Sequence, residues 1–313
     1  MTSKWDPEDL GGRRPKGVVG TREAEETGGP SASPDQEQAG NRWGIILAGG
    51  DATRLKDLTR RICGDDRPKQ FCSLLGRETL LEQTRQRAER SIPGNTILFS
   101  LSAHHERYYA AEKGILPSQR IVQPANRGTA APVVQGLLSI ARLDPDGIVA
   151  ILPSDHHYQN ESRFTSTLET AFQIAARETA SVVLVGAPVQ RADLSYGWLE
   201  LAGRVRGNES FHVKAFRTKP SLQEAMRLMH GICLWNTSVM VGRAAAFLEM
   251  IRGVLPELVA AFPRETLWVG AETRVPPDIY AKIRELNFSE DVLSVQTGFL
   301  MALRTARAGW DDL

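Results

Sequence analysis

The chain is 313 residues long, 42% hydrophobic and 24% charged, with a formal net charge of +1. Those proportions suit a globular protein, and a charge so near zero supplies no global field to draw it onto nucleic acid or an anionic membrane. No apolar run approaches the ~18 residues of a spanning helix, the opening MTSKWDPEDLGG lacks the apolar core of a secretory signal, and three cysteines without metal-ligand spacing (Cys63, Cys72, Cys233) suit a reducing cytoplasm.

Residues 1–41 are rich in Gly, Pro, Glu, Ser and Gln and show no apolar periodicity. They cannot bury enough surface to offset the entropy of ordering, so they read as a disordered tail. A single domain is expected over 42–313. It opens at Trp43, where GIILAGG reads as a buried strand running into a glycine turn. A helix over 79–91, a strand over 96–102 and a helical stretch over 104–113 follow. The strand 120–124 precedes a helix over 129–142, then come a strand over 147–155, a helix over 161–177 and a strand over 181–189. Apolar strands interleaved with helices imply parallel pairing and right-handed crossovers, hence an α/β fold with a doubly wound, mostly parallel sheet. The second half is more mixed. Residues 196–201 and 211–217 alternate as antiparallel strands do, 221–231 read as a helix stopped by glycine, and 232–243 as a strand pair or extended segment. This half forms a smaller mixed α+β part.

Three segments carry chemistry. In LAGGDATRL (47–55) a strand opens into Gly49-Gly50 and closes on Thr53-Arg54, exposing backbone N–H groups to a phosphate chain with a guanidinium nearby. A tight turn with a solvated arginine is the plainer alternative. The segment is neither a P-loop nor a dinucleotide fingerprint, which also removes an NAD-dependent oxidoreductase. In RPKQF (67–71), Lys69 can act as a point charge on phosphate oxygens, its alternative being an ordinary surface lysine. In LPSDHH (152–157), Asp155 stands at a strand end, where open α/β sheets bind ligands and where a carboxylate suits Mg²⁺. Capping of the next turn would explain it equally. His156 and His157 lack a third ligand at suitable spacing and read as structural or solvated.

Together these segments resemble the sugar-1-phosphate nucleotidyltransferases, particularly the mannose-1-phosphate guanylyltransferases. Members carry LAGGxGTRL, here LAGGDATRL, and PKQF, here Pro68 to Phe71. The family's Arg-Asn-Thr-Ala is similar to Asn126-Arg127-Gly128-Thr129-Ala130, its P-(S/A)-D-H to Pro153 to His156, and its Gly-Tyr-Gly-Tyr to Ser195 to Trp198. Glu-Lys-Pro resembles Thr218 to Pro220, Leu-Trp-Asn-Ser-Gly resembles Leu234 to Ser238, Ser-x-Asp resembles Ser289 to Asp291, and Gly-Trp-x-Asp-Leu resembles Gly309 to Leu313. The segments run in order from about Trp43 to the last residue.

The resemblance implies a Rossmann-like nucleotide-diphospho-sugar transferase fold. It also implies guanylyl transfer from GTP to mannose 1-phosphate, giving GDP-mannose and pyrophosphate with Mg²⁺ as cofactor. Leu47, Ala48, Gly49, Gly50 and Thr53 would hold the nucleotide, with Arg127 and Thr129 in the segment under the base. Arg54 and Lys69 would be the catalytic cations, and Asp155 and Asp291 would share the metal. Lys219 would take the sugar phosphate, while Tyr196, Gly197 and Asn236 orient the sugar. No nucleic-acid or membrane partner is implied, and a homodimer is compatible with it. The alternatives are the same reaction with another nucleotide or sugar, or a degenerate binder of nucleotide sugars without turnover. Retention of both metal carboxylates argues against the binder. The chain departs from the pattern at Ala52 and Gly128, where members have glycine and asparagine, and at Thr218. The twelve residues 56–67 are longer than usual and are expected to form a distinct lid. The stop at Leu313 falls inside a motif after which relatives continue, so a shortened domain with Trp310 incompletely packed is expected.

Overall fold

Consecutive residues of a strand face opposite sides of its sheet, and in the computed structural model of this chain both sides are covered. Ile45 packs into one cluster and Ile46 into another, and neither is exposed. The structure describes residues 41–312 apart from 53, 54, 269, 306 and 307. The expected disordered tail therefore lies outside the described residues, except for Asn41, whose carbonyl accepts from Ile148 N at 3.0 Å.

The strands are β1 (Arg42–Leu47), β2 (Ile97–Ser102), β3 (Arg120–Gln123), β4 (Ile148–Pro153), β5 (His156–Tyr158), β6 (Val182–Pro188), β7 (Gly197–Arg204), β8 (Phe211–Arg217), β9 (Cys233–Arg243), β10 (Thr273–Arg274), β11 (Leu300–Arg304) and β12 (Trp310–Asp312). Ten of them form one sheet in the order β10-β3-β2-β1-β4-β9-β6-β11-β8-β7, while β12 pairs with β5 in a small separate ladder. The main helices are α1 (Lys56–Cys63), α2 (Leu80–Ala88), α3 (Ala130–Leu143), α4 (Glu161–Arg177), α5 (Leu222–Met229), α6 (Ala244–Arg252) and α7 (Pro256–Ala260). α3, α6 and α7 bury their apolar faces on one side of the sheet, α2 and α4 on the other. The result is the three-layer α/β arrangement expected from alternating strands and helices.

Local chemistry sets the helix starts. Thr79 Oγ1 accepts from Glu82 N at 3.1 Å, Asn160 Oδ1 from Arg163 N at 3.0 Å, and Ser221 Oγ from Glu224 N at 3.2 Å, each satisfying a backbone donor that the first turn leaves unpaired. The long segment 56–67 contributes α1, which ends on Gly64 in the left-handed region.

The parallel series is present as β10-β3-β2-β1-β4 and again as β6-β11. Between the two runs lies β9, antiparallel to both β4 and β6. Residues 232–243, whose sequence fits a strand pair or an extended segment, hold one eleven-residue strand. Its sequence explains the placement: Val239, Met240 and Val241 are buried in succession, so both faces are apolar and the strand belongs inside the sheet. The strand is broken once. Its register with β6 shifts between Leu184 and Gly186, Ser238 has φ +57°, and Thr237 Oγ1 donates to Val185 O at 2.7 Å. That bulge lets β9 pair with β4 over its second half and with β7 over its first. Because β7 also pairs with β8, and β8 with β11, strands β6, β11, β8, β7 and β9 close into a ring. Among the described residues no helix is long and apolar enough to cross a membrane.

Candidate active site

A cleft of ≈1150 Å³ opens beyond the carboxyl ends of β1, β3 and β4, where Leu47, Gln123 and Pro153 line it. That is where ligands bind in open α/β sheets, and the volume exceeds the ~300–1,000 Å³ of a site for one small molecule. The facing wall comes from Tyr196 before β7, Lys219 after β8, Ser238 at the β9 bulge and the segment 285–291.

Pro68 leads into a single tight turn, Lys69–Phe71, which buries Phe71 and Gln70 and aims Lys69 into the cleft. The Lys69 ammonium lies 3.1 Å from a carboxylate oxygen of Asp155 and 3.1 Å from one of Asp312. Burial disfavours the charge on Lys69, but the two carboxylates more than offset it, so its pKa stands above the ordinary lysine value. Asp155 occupies the link between β4 and β5. Asp312 arrives from the far end of the chain because β12 pairs with β5 in the register Trp310↔Tyr158, Asp312↔His156. Trp310 supports this ladder: its indole N–H donates to His156 Nδ1 at 3.3 Å, and its ring lies 5.6 Å from His156 and 5.0 Å from Tyr196. His156 is buried, and burial holds its pKa below the ordinary histidine value despite the neighbouring carboxylates, so the ring is neutral at neutral pH. Behind the ladder, the almost fully buried Arg87 of α2 makes a forked ion pair with Glu161 and donates to His156 O at 3.3 Å, tying both helices to β5.

The glycine loop is held from below. Gln70 Nε2 donates to Ala48 O at 3.0 Å and to Gly50 O at 2.8 Å, so the PKQF turn and the LAGG turn are one unit. Ala52 has φ +48°, the left-handed conformation that glycine adopts without penalty. Asp51 is clasped on both sides, 3.2 Å from His105 Nε2 and accepting from Asn126 Nδ2 at 3.0 Å. Burial lowers the His105 pKa, partly countered by Asp51. Thr53 and Arg54 lie outside the described residues.

The segment 126–130 is zipped to 286–288. Leu286 N donates to Arg127 O at 3.1 Å, Ala130 N to Leu286 O at 3.1 Å, and Phe288 N to Thr129 Oγ1 at 2.9 Å. Gly128, at φ +75°, faces this zipper so closely that a Cβ would sit 2.2 Å from Leu286 O. The asparagine of similar sequences therefore has no room here. Gly128 and Thr129 line the cleft; Arg127 is not among its lining residues and meets the zipper through its carbonyl.

Across the cleft Lys219, itself at φ +46°, lies 2.6 Å from Glu290 Oε1. Tyr196 is held between Trp235 and Trp310, at 5.1 and 5.0 Å. Gly197 and Asn236 face each other across the β7–β9 ladder behind it. Asn236 Nδ2 donates to Ser238 Oγ at 3.3 Å, and Ser238 rather than Asn236 reaches the cleft surface. Asp291 lines the cleft with its Oδ2 accepting from Asn287 N at 2.7 Å. It is not part of the group around Asp155, which comprises Asp155, His156 and Asp312, with ligand atoms all within 4.8 Å of one another.

The motifs alone give no role to Asp312, Gln70, Asp51 or Glu290. For Asp312 a signal existed, since it is the aspartate of the Gly-Trp-x-Asp-Leu segment. Two carboxylates as hard oxygen donors suit a divalent cation such as Mg²⁺, and both line the cleft.

Comparison with known proteins fits this geometry. The family model described as nucleotidyl transferase matches residues 43–266. The chain belongs to the nucleotidyl transferase family. Among relatives of this nucleotidyl transferase, the xanthan biosynthesis protein XanB of Xanthomonas campestris pv. campestris is 28% identical over 279 residues, 86% of this chain and 56% of the relative. A mannose-1-phosphate guanylyltransferase of Sinorhizobium fredii is 30% identical over 69% of this chain and 42% of its own. The nucleotidyl transferase thus spans about half the length of these relatives. A solved structure described as mannose-1-phosphate geranyltransferase from Thermus thermophilus superposes with a TM-score of 0.74 at 26% identity, covering 87% of this chain and 76% of that one.

Proposed function

We propose that this nucleotidyl transferase moves GMP from GTP onto mannose 1-phosphate, releasing pyrophosphate and giving GDP-mannose, in the cytoplasm. The observation that carries the reading is Lys69 at the strand ends, paired with Asp155 and Asp312, facing Lys219 across a cleft large enough for two substrates. A phosphate oxygen of the sugar 1-phosphate attacks the α-phosphorus of the nucleotide in line, the new P–O bond forms, and the bond to pyrophosphate breaks. The nucleophile is already ionised at neutral pH, so no general base is required. The barrier comes from bringing two anions together and from charge on the leaving group. Lys69 answers the charge at the reacting phosphate, Lys219 holds the sugar phosphate once released from Glu290, and the Gly49-Gly50 backbone, fixed by Gln70, receives the nucleotide. Asp155 with Asp312 would hold Mg²⁺, which when bound neutralises phosphate oxygens; Asp291, singled out by the family resemblance, is the competing second carboxylate. Tyr196, backed by Trp235 and Trp310, supplies an aromatic wall for the sugar.

The test is a pyrophosphate-release panel of four nucleoside triphosphates against several sugar 1-phosphates. GTP with mannose 1-phosphate is expected to give the highest kcat/KM. Equal turnover with UTP or dTTP sinks the nucleotide assignment, and nucleotide-sugar binding without any release favours a non-catalytic binder.

A further inference from the structure

Guanine differs from the other bases in a way a protein can read with one side chain. Its pairing edge offers two adjacent N–H donors, N1–H and the 2-amino group, and an ionised carboxylate is the side chain that only accepts. Adenine offers one donor beside one acceptor, so a carboxylate there gains one hydrogen bond and meets a lone pair with the other oxygen.

The cleft contains several carboxylates, and nearly all are engaged. Asp155 and Asp312 hold Lys69, Glu290 holds Lys219, and Asp291 caps Asn287 N. Asp51, at the rim, holds His105 and Asn126. Glu285 lines the same cleft, is exposed, and makes no hydrogen bond or ion pair among the described residues. Its place is fixed by its neighbour: Leu286 is bonded through both N–H and carbonyl to the segment 127–130, and Gly128 lets the two backbones meet. Gln123, a neutral polar group that also lines the cleft, is already paired. Gln123 Nε2 donates to Ser100 Oγ at 3.2 Å, and Gln123 Oε1 accepts from Tyr280 O–H at 2.6 Å.

We propose that Glu285 selects guanine by accepting from N1–H and the 2-amino group, the backbone zipper at Gly128 and Leu286 serving to hold that carboxylate over the base segment. The proposal rests on the guanylyl reading above. It makes the absence of a side chain at position 128 part of the specificity mechanism: the room given up by residue 128 is filled by the backbone of Leu286, next to the reader.

Pyrophosphate release is measured with GTP, ITP and ATP for the full chain, E285A and E285Q, with melting temperature as the control for folding. ITP lacks the 2-amino group, so the wild-type protein should prefer GTP to ITP. In E285A that preference should shrink by about tenfold to a hundredfold, the scale of one hydrogen bond to a charged group. E285Q keeps the shape but presents one donor and one acceptor, matching adenine, so its ATP/GTP ratio of kcat/KM should rise by at least about tenfold. Melting temperatures should stay unchanged, since Glu285 is exposed and unpaired. GTP preference in the wild type with unaltered GTP/ITP and ATP/GTP ratios in both variants overturns the role of Glu285 and leaves the guanylyl reading standing. A wild-type preference for a triphosphate other than GTP overturns both.

Discussion

Replacing Gly128 by alanine tests whether the zipper between 127–130 and 286–288 is as tight as the structure has it. Two costs add. Alanine in the left-handed region costs roughly 1–2 kcal/mol. The new Cβ would also lie 2.2 Å from Leu286 O, a backbone atom that cannot swing aside. Moving that carbonyl strains or breaks Leu286 N→Arg127 O and Ala130 N→Leu286 O, both 3.1 Å, each about 1 kcal/mol. The expected loss is about 3–4 kcal/mol, or a fall in melting temperature of roughly 5–7 °C at an unfolding entropy of ~2.1 cal/mol/K per residue. Gly64→Ala is the matched control, since Gly64 has φ +77° and nothing within 4 Å of an added Cβ. It should cost only the conformational part, about 1–2 kcal/mol. Urea unfolding of the two variants, with midpoint and slope both fitted, measures the difference. Equal losses within about 0.5 kcal/mol would refute the close approach at Gly128.

The carboxylates form the next set: Asp155→Asn and Asp312→Asn should each lower turnover by at least ~10²-fold, about 2.7 kcal/mol, with little change in melting temperature. Asp291→Asn, assayed beside them, decides which carboxylate shares the metal, and near-normal turnover in any one variant removes that residue from the metal site. Ala52→Gly should raise stability by about 0.5–1 kcal/mol, because relief of the left-handed strain exceeds the entropy that glycine adds to the unfolded chain; a destabilised variant would contradict the φ of +48°. For pH, burial keeps His105 and His156 below their ordinary pKa of 6.5. The unfolded chain therefore binds more protons in the window just below pH 6.5, and stability should fall as pH drops through it. His105→Gln should flatten the melting temperature between about pH 7 and about pH 5.5 relative to wild type, and an unchanged slope would show that His105 does not carry it.

What could be read from the sequence was whatever depends on near neighbours. Apolar runs such as 43–47 and 181–189 declare strands, and Thr79, Asn160 and Ser221 announce helices through the caps they form. Residues 232–243 could not be resolved in advance, because a strand buried on both faces carries no alternation and its bulge at Ser238 depends on three partners at once. The site divides in the same way. Asp155 was legible at a strand end, and so was Lys69 after Pro68, but their meeting with Asp312 is set by a ladder between distant segments. Gly128 could be seen as a departure; that Leu286 occupies the space could not, since nothing local links residues 128 and 286.

The β5–β12 ladder has a consequence in time as well as in space. Lys69 and Asp312 are 243 positions apart, so their meeting closes almost the whole described chain into a loop. Closing so long a loop adds little to the equilibrium cost, which grows only with the logarithm of length, but contacts of such separation form slowly. The three-layer scaffold around β1 and β4 draws on nearer partners and can be assembled first. Between that event and the arrival of Trp310 to Asp312, Lys69 lacks Asp312 and His156 lacks its indole donor. Refolding followed by tryptophan fluorescence and by activity should then show two clocks, with turnover regained after the bulk of the fold.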